Sequence, residues 1–267
     1  MMATSDKWEI YAVRYGHHER RASANFIGGD PHDGPMPLDY YVWAIVGEKR
    51  NFIVDTGFDA AMGAKRSREF LRSPGEGLAA LGINPEHVED VIVTHMHFDH
   101  CGNHSLFPRA RYHLQDREMA YCTGRFMCYP ATRMPFEADD VAAMIRRLFE
   151  GRVRFHDGSD ELAPGISVHR VGGHTMGMQI VRVQTNRGWV VLASDASHLY
   201  ANIDEGRPFP VVHDVGEMLE GYETIRRLAS SPRHIIPGHD PMVLKRYPAA
   251  GPRLEGAVAR LDLEPNV

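Results

Sequence analysis

The chain has 267 residues, 43% hydrophobic and 24% charged, which excludes mini-proteins, disordered tracts and fibrous repeats and fits one large domain. Thirty Lys and Arg against 35 Asp and Glu leave a net charge of -5, so there is no basic footprint for a nucleic-acid partner. Three cysteines, Cys101, Cys122 and Cys128, form no C-x-x-C pair; with no leader-like N-terminus and no apolar run of membrane-spanning length, a cytoplasmic protein with no membrane partner is expected.

In chain order, residues 8–15 read as a strand and 28–37 as a Gly/Pro/Asp-rich loop. Residues 40–46 and 51–54, rich in aromatic and β-branched side chains, read as a hairpin around Gly47-Glu48-Lys49-Arg50. Residues 67–81 carry helical spacing at Phe70, Leu71, Leu78 and Leu81 and stop at Gly82, predicting a helix or broken helix. Residues 91–93 are a short buried strand. Beyond Asp116 the chain turns irregular, and about 116–150 reads as an insertion that closes with a helix over 138–149.

Short strands resume at 153–155, 166–171, 179–183 and 189–193, followed by a helix over 215–228 and a last strand at 235–236. Several strand links are too short for a crossover helix, which predicts an α/β layered fold with mixed sheets.

Chemistry concentrates in His95-Met96-His97-Phe98-Asp99-His100, directly after the 91–93 strand. On an extended segment His95 and His97 point to one side, and a tight turn can bring Asp99 and His100 to the same place. Imidazole nitrogen with carboxylate oxygen suits zinc, and also iron, manganese or cobalt. Cys101 reads as a small buried residue, not a ligand.

The His95-x-His97-x-Asp99-His100 run resembles the signature of the metallo-β-lactamase superfamily, whose fold is an αββα sandwich. Gly172-Gly173-His174, Ala193-Ser194-Asp195 and Pro237-Gly238-His239 match, in order, its later ligand segments, and Asp55-Thr56-Gly57 matches its supporting Asp. The resemblance implies that His95, His97 and His174 hold one metal, that Asp99, His100 and His239 hold a second, and that Asp195 bridges them. Two zinc ions are the implied cofactor, with iron, manganese or cobalt as alternatives. Asp55 would accept a hydrogen bond from a ligand histidine. Asp195 argues against penicillin hydrolysis, because true β-lactamases have Cys or Ser there.

Length, the Asp99-His100-Cys101-Gly102-Asn103 continuation, the insertion and the short tail after His239 most resemble the N-acyl homoserine lactonase (quorum-quenching) group. The implied reaction is ring opening of a small lactone by metal-bound hydroxide, with Asp99 passing the proton to the leaving alkoxide. Alternatives are hydrolysis of a cyclic amide, ester or thioester, as in glyoxalase II, and an iron-dependent oxidoreductase of the same fold. Lactonases of this group carry a Tyr three residues after the bridging Asp; here the position is His198, expected to orient a carbonyl or a negatively charged substrate. Tyr40, Phe126, Met127, Tyr129, Met134 and Phe136 are candidates to line an apolar substrate cleft, and the insertion reads as a substrate lid or a homodimer contact.

Overall fold

The computed structural model describes residues 7–266. Its first half contains β1 (Glu9–His18), β2 (Leu38–Val46), β3 (Asn51–Val54), α1 (Ala60–Arg66), β4 (Glu69–Phe70), α2 (Pro74–Ala79), β5 (Asp90–Ile92), α3 (Phe98–Cys101), β6 (Arg111–Gln115), α4 (Asp116–Cys122), α5 (Pro130–Arg133), α6 (Ala138–Phe149) and β7 (Val153–His156). The second half adds β8 (Ser159–Ala163), β9 (Ile166–Arg170), β10 (Gln179–Thr185), β11 (Gly188–Ser194), α7 (Tyr200–Glu205), α8 (Val215–Leu228), β12 (Ile235–Pro237), α9 (Met242–Arg246) and β13 (Val258–Arg260).

One sheet runs β13-β1-β2-β3-β5-β6-β7, with β4 on β1, and the other runs β12-β11-β10-β9-β8. Both are mixed: β3, β5, β6 and β7 are parallel, as are β11 and β12, and the remaining pairs are antiparallel.

Strand period explains the layering. Along β2, Tyr41, Trp43 and Ile45 enter the core between the sheets, where they meet Val181, Val183, Val190 and Leu192. Tyr40, Val42 and Ala44 turn to the opposite face, where Leu78, Phe98, Tyr121 and Met144 of the flanking helices cover them. On β11, Val191 and Ala193 face outward onto Met218, Tyr222 and Ile225 of α8. The order is helices, sheet, sheet, helices, the expected αββα sandwich.

The hairpin and the 138–149 and 215–228 helices lie where the pattern places them. Residues 67–81 do not form one helix. Ser67 takes a left-handed conformation (φ 54°) that ends α1, Glu69–Phe70 pairs with β1, and Pro74 starts a separate short helix capped by Ser73 and Glu76. The supposedly irregular start of the insertion contains α4, and the last strand is β13, not β12. No helix among the described residues is long and apolar enough to cross a membrane.

Candidate metal centre

The cluster residues sit where strands end. His95 and His97 lie on the extended turn between β5 and α3, and Asp99 and His100 lie within α3. His174 follows β9, Asp195 follows β11 and His239 follows β12, so both sheets contribute. The His174 turn needs glycine: Gly173 has φ 83°, and a Cβ there would stand 2.5 Å from the Met218 backbone nitrogen. Asp55 (φ 62°) and Ser194 (φ 45°) also hold left-handed conformations at the ends of β3 and β11, a cost that clusters at functional sites.

Hydrogen bonding decides which way each imidazole faces. Nδ1–H of His174 donates to Val211 O at 2.6 Å, and Nδ1–H of His239 donates to Asp39 O at 2.9 Å. The Nδ1–H of His100 donates to Asp55 Oδ2 at 2.8 Å. Thr94 Oγ1 gives its proton to the same carboxylate at 2.8 Å, so at 3.1 Å it accepts from His95 Nδ1–H. Each Nε2 is therefore left as a lone pair turned inward.

The His174 and His95 lone pairs stand 3.1 Å apart, and His97 Nδ1 is 2.9 Å from His174 Nε2. Asp195 Oδ1 lies 2.9 Å from His239 Nε2 and 3.3 Å from His100 Nε2, while Oδ2 lies 3.4 Å from His174 Nε2. Asp99 Oδ2 is 3.5 Å from His100 Nε2 and 3.7 Å from His239 Nε2. Buried His100 Nε2 and Asp195 Oδ1 have no hydrogen-bond partner. Lone pairs facing lone pairs and carboxylate oxygens at these distances repel unless cations sit between them, so the donor set fits two metal ions. The ligand atoms group as His95, His97 and His174, and as Asp99, His100, Asp195 and His239, with His174, Asp195 and His198 forming a third group that overlaps both.

Electrostatics distinguish the two groups, and at His100 and His239 a proton competes with a metal ion for the inward-facing nitrogen. Burial, reinforced by neighbouring imidazoles, holds His95 and His97 well below the usual histidine range, and burial also lowers His174; neutral imidazole is the metal-binding form. Burial opposes charge on His100 and His239, but Asp195 and Asp99 outweigh it and draw both upward.

Asp55 does more than receive His100. Its two oxygens also accept from Thr94 N and Thr94 Oγ1, fixing the strand end from which His95 departs. Glu118 carried no sequence signal for this role, being one acidic residue in an irregular stretch. It is buried on α4, accepts from Met96 N at 2.8 Å, and accepts from Gly177 N and Thr175 Oγ1. It thus joins the His95–His97 turn to the His174 turn, and burial pushes its carboxyl up to about 7.

His198 is buried against this cluster, with Nε2 2.9 Å from Asp195 Oδ2 and its ring stacked on Phe209. Because a carboxylate only accepts, His198 donates here, and Nδ1 is left buried without a partner. The donor expected to orient a substrate carbonyl is thus directed at Asp195 in this structure.

Of the proposed pocket residues, Tyr40 and Met134 line the cleft over the cluster, and Tyr40 packs against the His239 ring. Phe136 sets its ring against His97. Phe126 packs on Tyr121 and His213, Met127 lines a separate groove of about 820 Å³ beside α6, and Tyr129 is exposed. Cys101 is buried, with Sγ directed to Met96 O.

Comparison with known proteins gives the same frame. The N-acyl homoserine lactonase AiiB of Agrobacterium fabrum is 29% identical over 171 residues, 62% of this chain and 61% of that one. A Bacillus cereus N-acyl homoserine lactonase is 27% identical over 49% of this chain and 48% of its own. The matched stretch thus spans at most about three fifths of these curated relatives.

Among solved structures, a quorum-quenching N-acyl homoserine lactone lactonase superposes with a TM-score of 0.74 at 20% identity, covering 90% of this chain and 94% of that one. AidC, a dizinc quorum-quenching lactonase, superposes at 0.68 and 13% identity over 88% of each chain. At these identities the superpositions establish the fold. Residues 36–239 match the family described as the metallo-beta-lactamase superfamily, and with its ligand segments in order at the strand ends, this chain belongs to that superfamily.

Proposed function

We propose that this chain is a dinuclear-metal hydrolase that opens a small lactone ring. The observation that carries the reading is Asp195, whose two oxygens face separate sets of imidazoles. Two divalent ions held by His95, His97 and His174 and by Asp99, His100 and His239, with Asp195 shared, would supply Lewis acidity and a source of hydroxide at neutral pH. Zinc suits the donor set, as do iron, manganese and cobalt.

The chain's own residues supply orientation and proton transfer. Leu38, Tyr40, Phe98, Met134, Pro135 and Val211 wall the cleft with apolar surface, which excludes water from a bound ring. Asp99 would take the proton of the attacking water and pass it to the leaving alkoxide, a role supported by its lining the cleft and being slightly more exposed than the other ligands. Met134 and Pro135 come from the insertion, which supports a lid role for part of that segment. The lactonase relatives favour a lactone over the ester, cyclic-amide and thioester alternatives.

The test is metal analysis of protein purified without added metal, followed by a lactone panel of varied acyl length monitored by proton release. Two equivalents of metal and proton release from lactones are expected. One equivalent of iron without hydrolysis would overturn the reading in favour of oxygen chemistry, and turnover of thioesters alone would overturn ring opening.

A further inference from the structure

The lining of the cleft over the cluster includes three arginines, Arg20, Arg66 and Arg68. Arg66 is committed elsewhere. It grips Glu137 with two nitrogens at 2.7 and 3.0 Å, donates to Met134 O and Phe136 O, and lies over the Phe98 ring. It has a carboxylate partner, which it shares with Lys65, and these contacts tie the insertion to α1.

Arg20 and Arg68 are different. Arg20 donates to Ala24 O, and Arg68 donates to Arg66 O and Ser67 O. Neither has a carboxylate partner among the described residues, whereas Arg14 on β1 is paired with Asp39. Arg68 Nε is buried with no partner at all. Arg20 and Arg68 line the same cleft as Tyr40, whose ring packs on His239, and burial, with Arg68 adding to it, lowers Arg20 from its usual range. Neighbouring His18 feels the same field: burial first, then Arg68 and Arg20, push it down to about 4.

Two partly buried guanidiniums without a paired carboxylate are costly to keep in one cleft. A wholly neutral lactone leaves that cost in place. A guanidinium fork matches the geometry of a carboxylate, and a charged recognition group beside metal ions selects anions before chemistry begins.

We infer that Arg20 and Arg68 form a carboxylate subsite, so that the substrate is a compact lactone bearing a carboxylate and not a neutral acylated one. The inference rests on the ring-opening reading for its reaction, but not for its binding site. Ring opening creates a second carboxylate at the metals, so the product would be a dicarboxylate spanning from the cluster to the two arginines.

Binding is measured first, on metal-loaded protein, by calorimetry with succinate, glutarate and adipate against butyrate. At least one dicarboxylate should bind about tenfold or more tighter than butyrate, and Arg20→Gln and Arg68→Gln should each erase most of that margin, with Arg68→Lys restoring part of it. No advantage for any dicarboxylate, or an advantage untouched in both Gln variants with unchanged melting temperatures, overturns the subsite.

Kinetics are then compared on a γ-lactone carrying a ring carboxylate and on its neutral carboxamide. The arginine variants should lose kcat/KM on the acid, through KM, by a much larger factor than on the carboxamide; equal losses on both would overturn the assignment. If no lactone is opened but dicarboxylate discrimination persists, the hydrolytic reading fails while the subsite stands. If the carboxylate-bearing lactone is opened with equal efficiency by the wild type and both Gln variants, the subsite fails while the hydrolytic reading stands.

Discussion

His198 donates through Nε2 to Oδ2 of Asp195 across 2.9 Å, and its ring is clamped flat on Phe209. The same oxygen faces His174, so the imidazole steadies the carboxylate that the two ligand sets share. Burial pushes His198 down to about 3 despite Asp195, which keeps it a neutral donor. Hydrogen bonds that orient metal ligands are typically worth 10- to 100-fold in metal affinity or activity. His198→Phe should therefore lose metal affinity and turnover together, and His198→Gln, which retains a donor, should recover part of both. Equilibrium metal titration beside kcat decides; a Phe variant with unchanged metal affinity and a reduced kcat would assign His198 to the substrate instead.

Glu118 provides a second test, because its carboxylate accepts from the backbone of both the His95–His97 turn and the His174 turn. Removing its carboxylate leaves Met96 N and Gly177 N without acceptors inside the protein, at a cost of about 1–3 kcal/mol for each buried donor. Glu118→Ala should lower the melting temperature and weaken binding at the three-histidine set more than at the Asp99 set. Glu118→Gln should be milder, since it keeps an acceptor oxygen. Metal stoichiometry by elemental analysis, with thermal unfolding in parallel, checks both.

Substituting Asp195 by Ala removes a ligand oxygen from both sets at once. Metal content should fall below two equivalents and activity should collapse, whereas Asp55→Asn should leave a less severe defect that acts through His100. A metal-bound crystal structure with Asp195 more than about 4 Å from either ion, far beyond the roughly 2.0–2.2 Å of a Zn–O bond, would remove the bridge.

Acid sensitivity has a source away from the metals. His104 is buried, neither ring nitrogen has a partner, and burial followed by Arg147 and Arg152 pushes it down to about 4. The unfolded chain takes up a proton below about 6.5 that the folded chain refuses, so this residue's contribution is complete above pH 6.5 and is lost as pH falls toward 4. The loss approaches, at most, about 3 kcal/mol by pH 4. His104→Leu should flatten that part of the profile. The difference in denaturant midpoint between variant and wild type, followed from pH 7 to 4.5, measures it; a constant difference would refute the assignment.

The centre was legible in the sequence to the extent that its residues are contiguous or follow recognisable strand ends. His95 through His100 announce themselves by crowding, and His174, Asp195 and His239 by Gly-His, Ser-Asp and Gly-His at the ends of apolar runs. Glu118, Arg20 and Arg68 gave no such sign, since their roles arise from contacts between segments far apart in the chain. The same limit applies to the fold. β8 is missed because its polar Ser159–Ala163 run forms a sheet edge, and β13 because its three residues gain strand character only by pairing with β1. Ser73 and Pro74 marked a helix start that the apolar spacing of residues 67–81 concealed.

Ligands drawn from both sheets have a mechanical consequence. An ion held between the 95–100 turn and His174 or His239 would act as a cross-link closing very long chain loops, and such closure restrains the unfolded chain more than it alters the folded one. Opening the seam between the sheets would then require the ions to leave first. Unfolding in excess chelator should keep pace with metal departure, and the half-life of the loaded protein should far outlast what its melting temperature alone suggests.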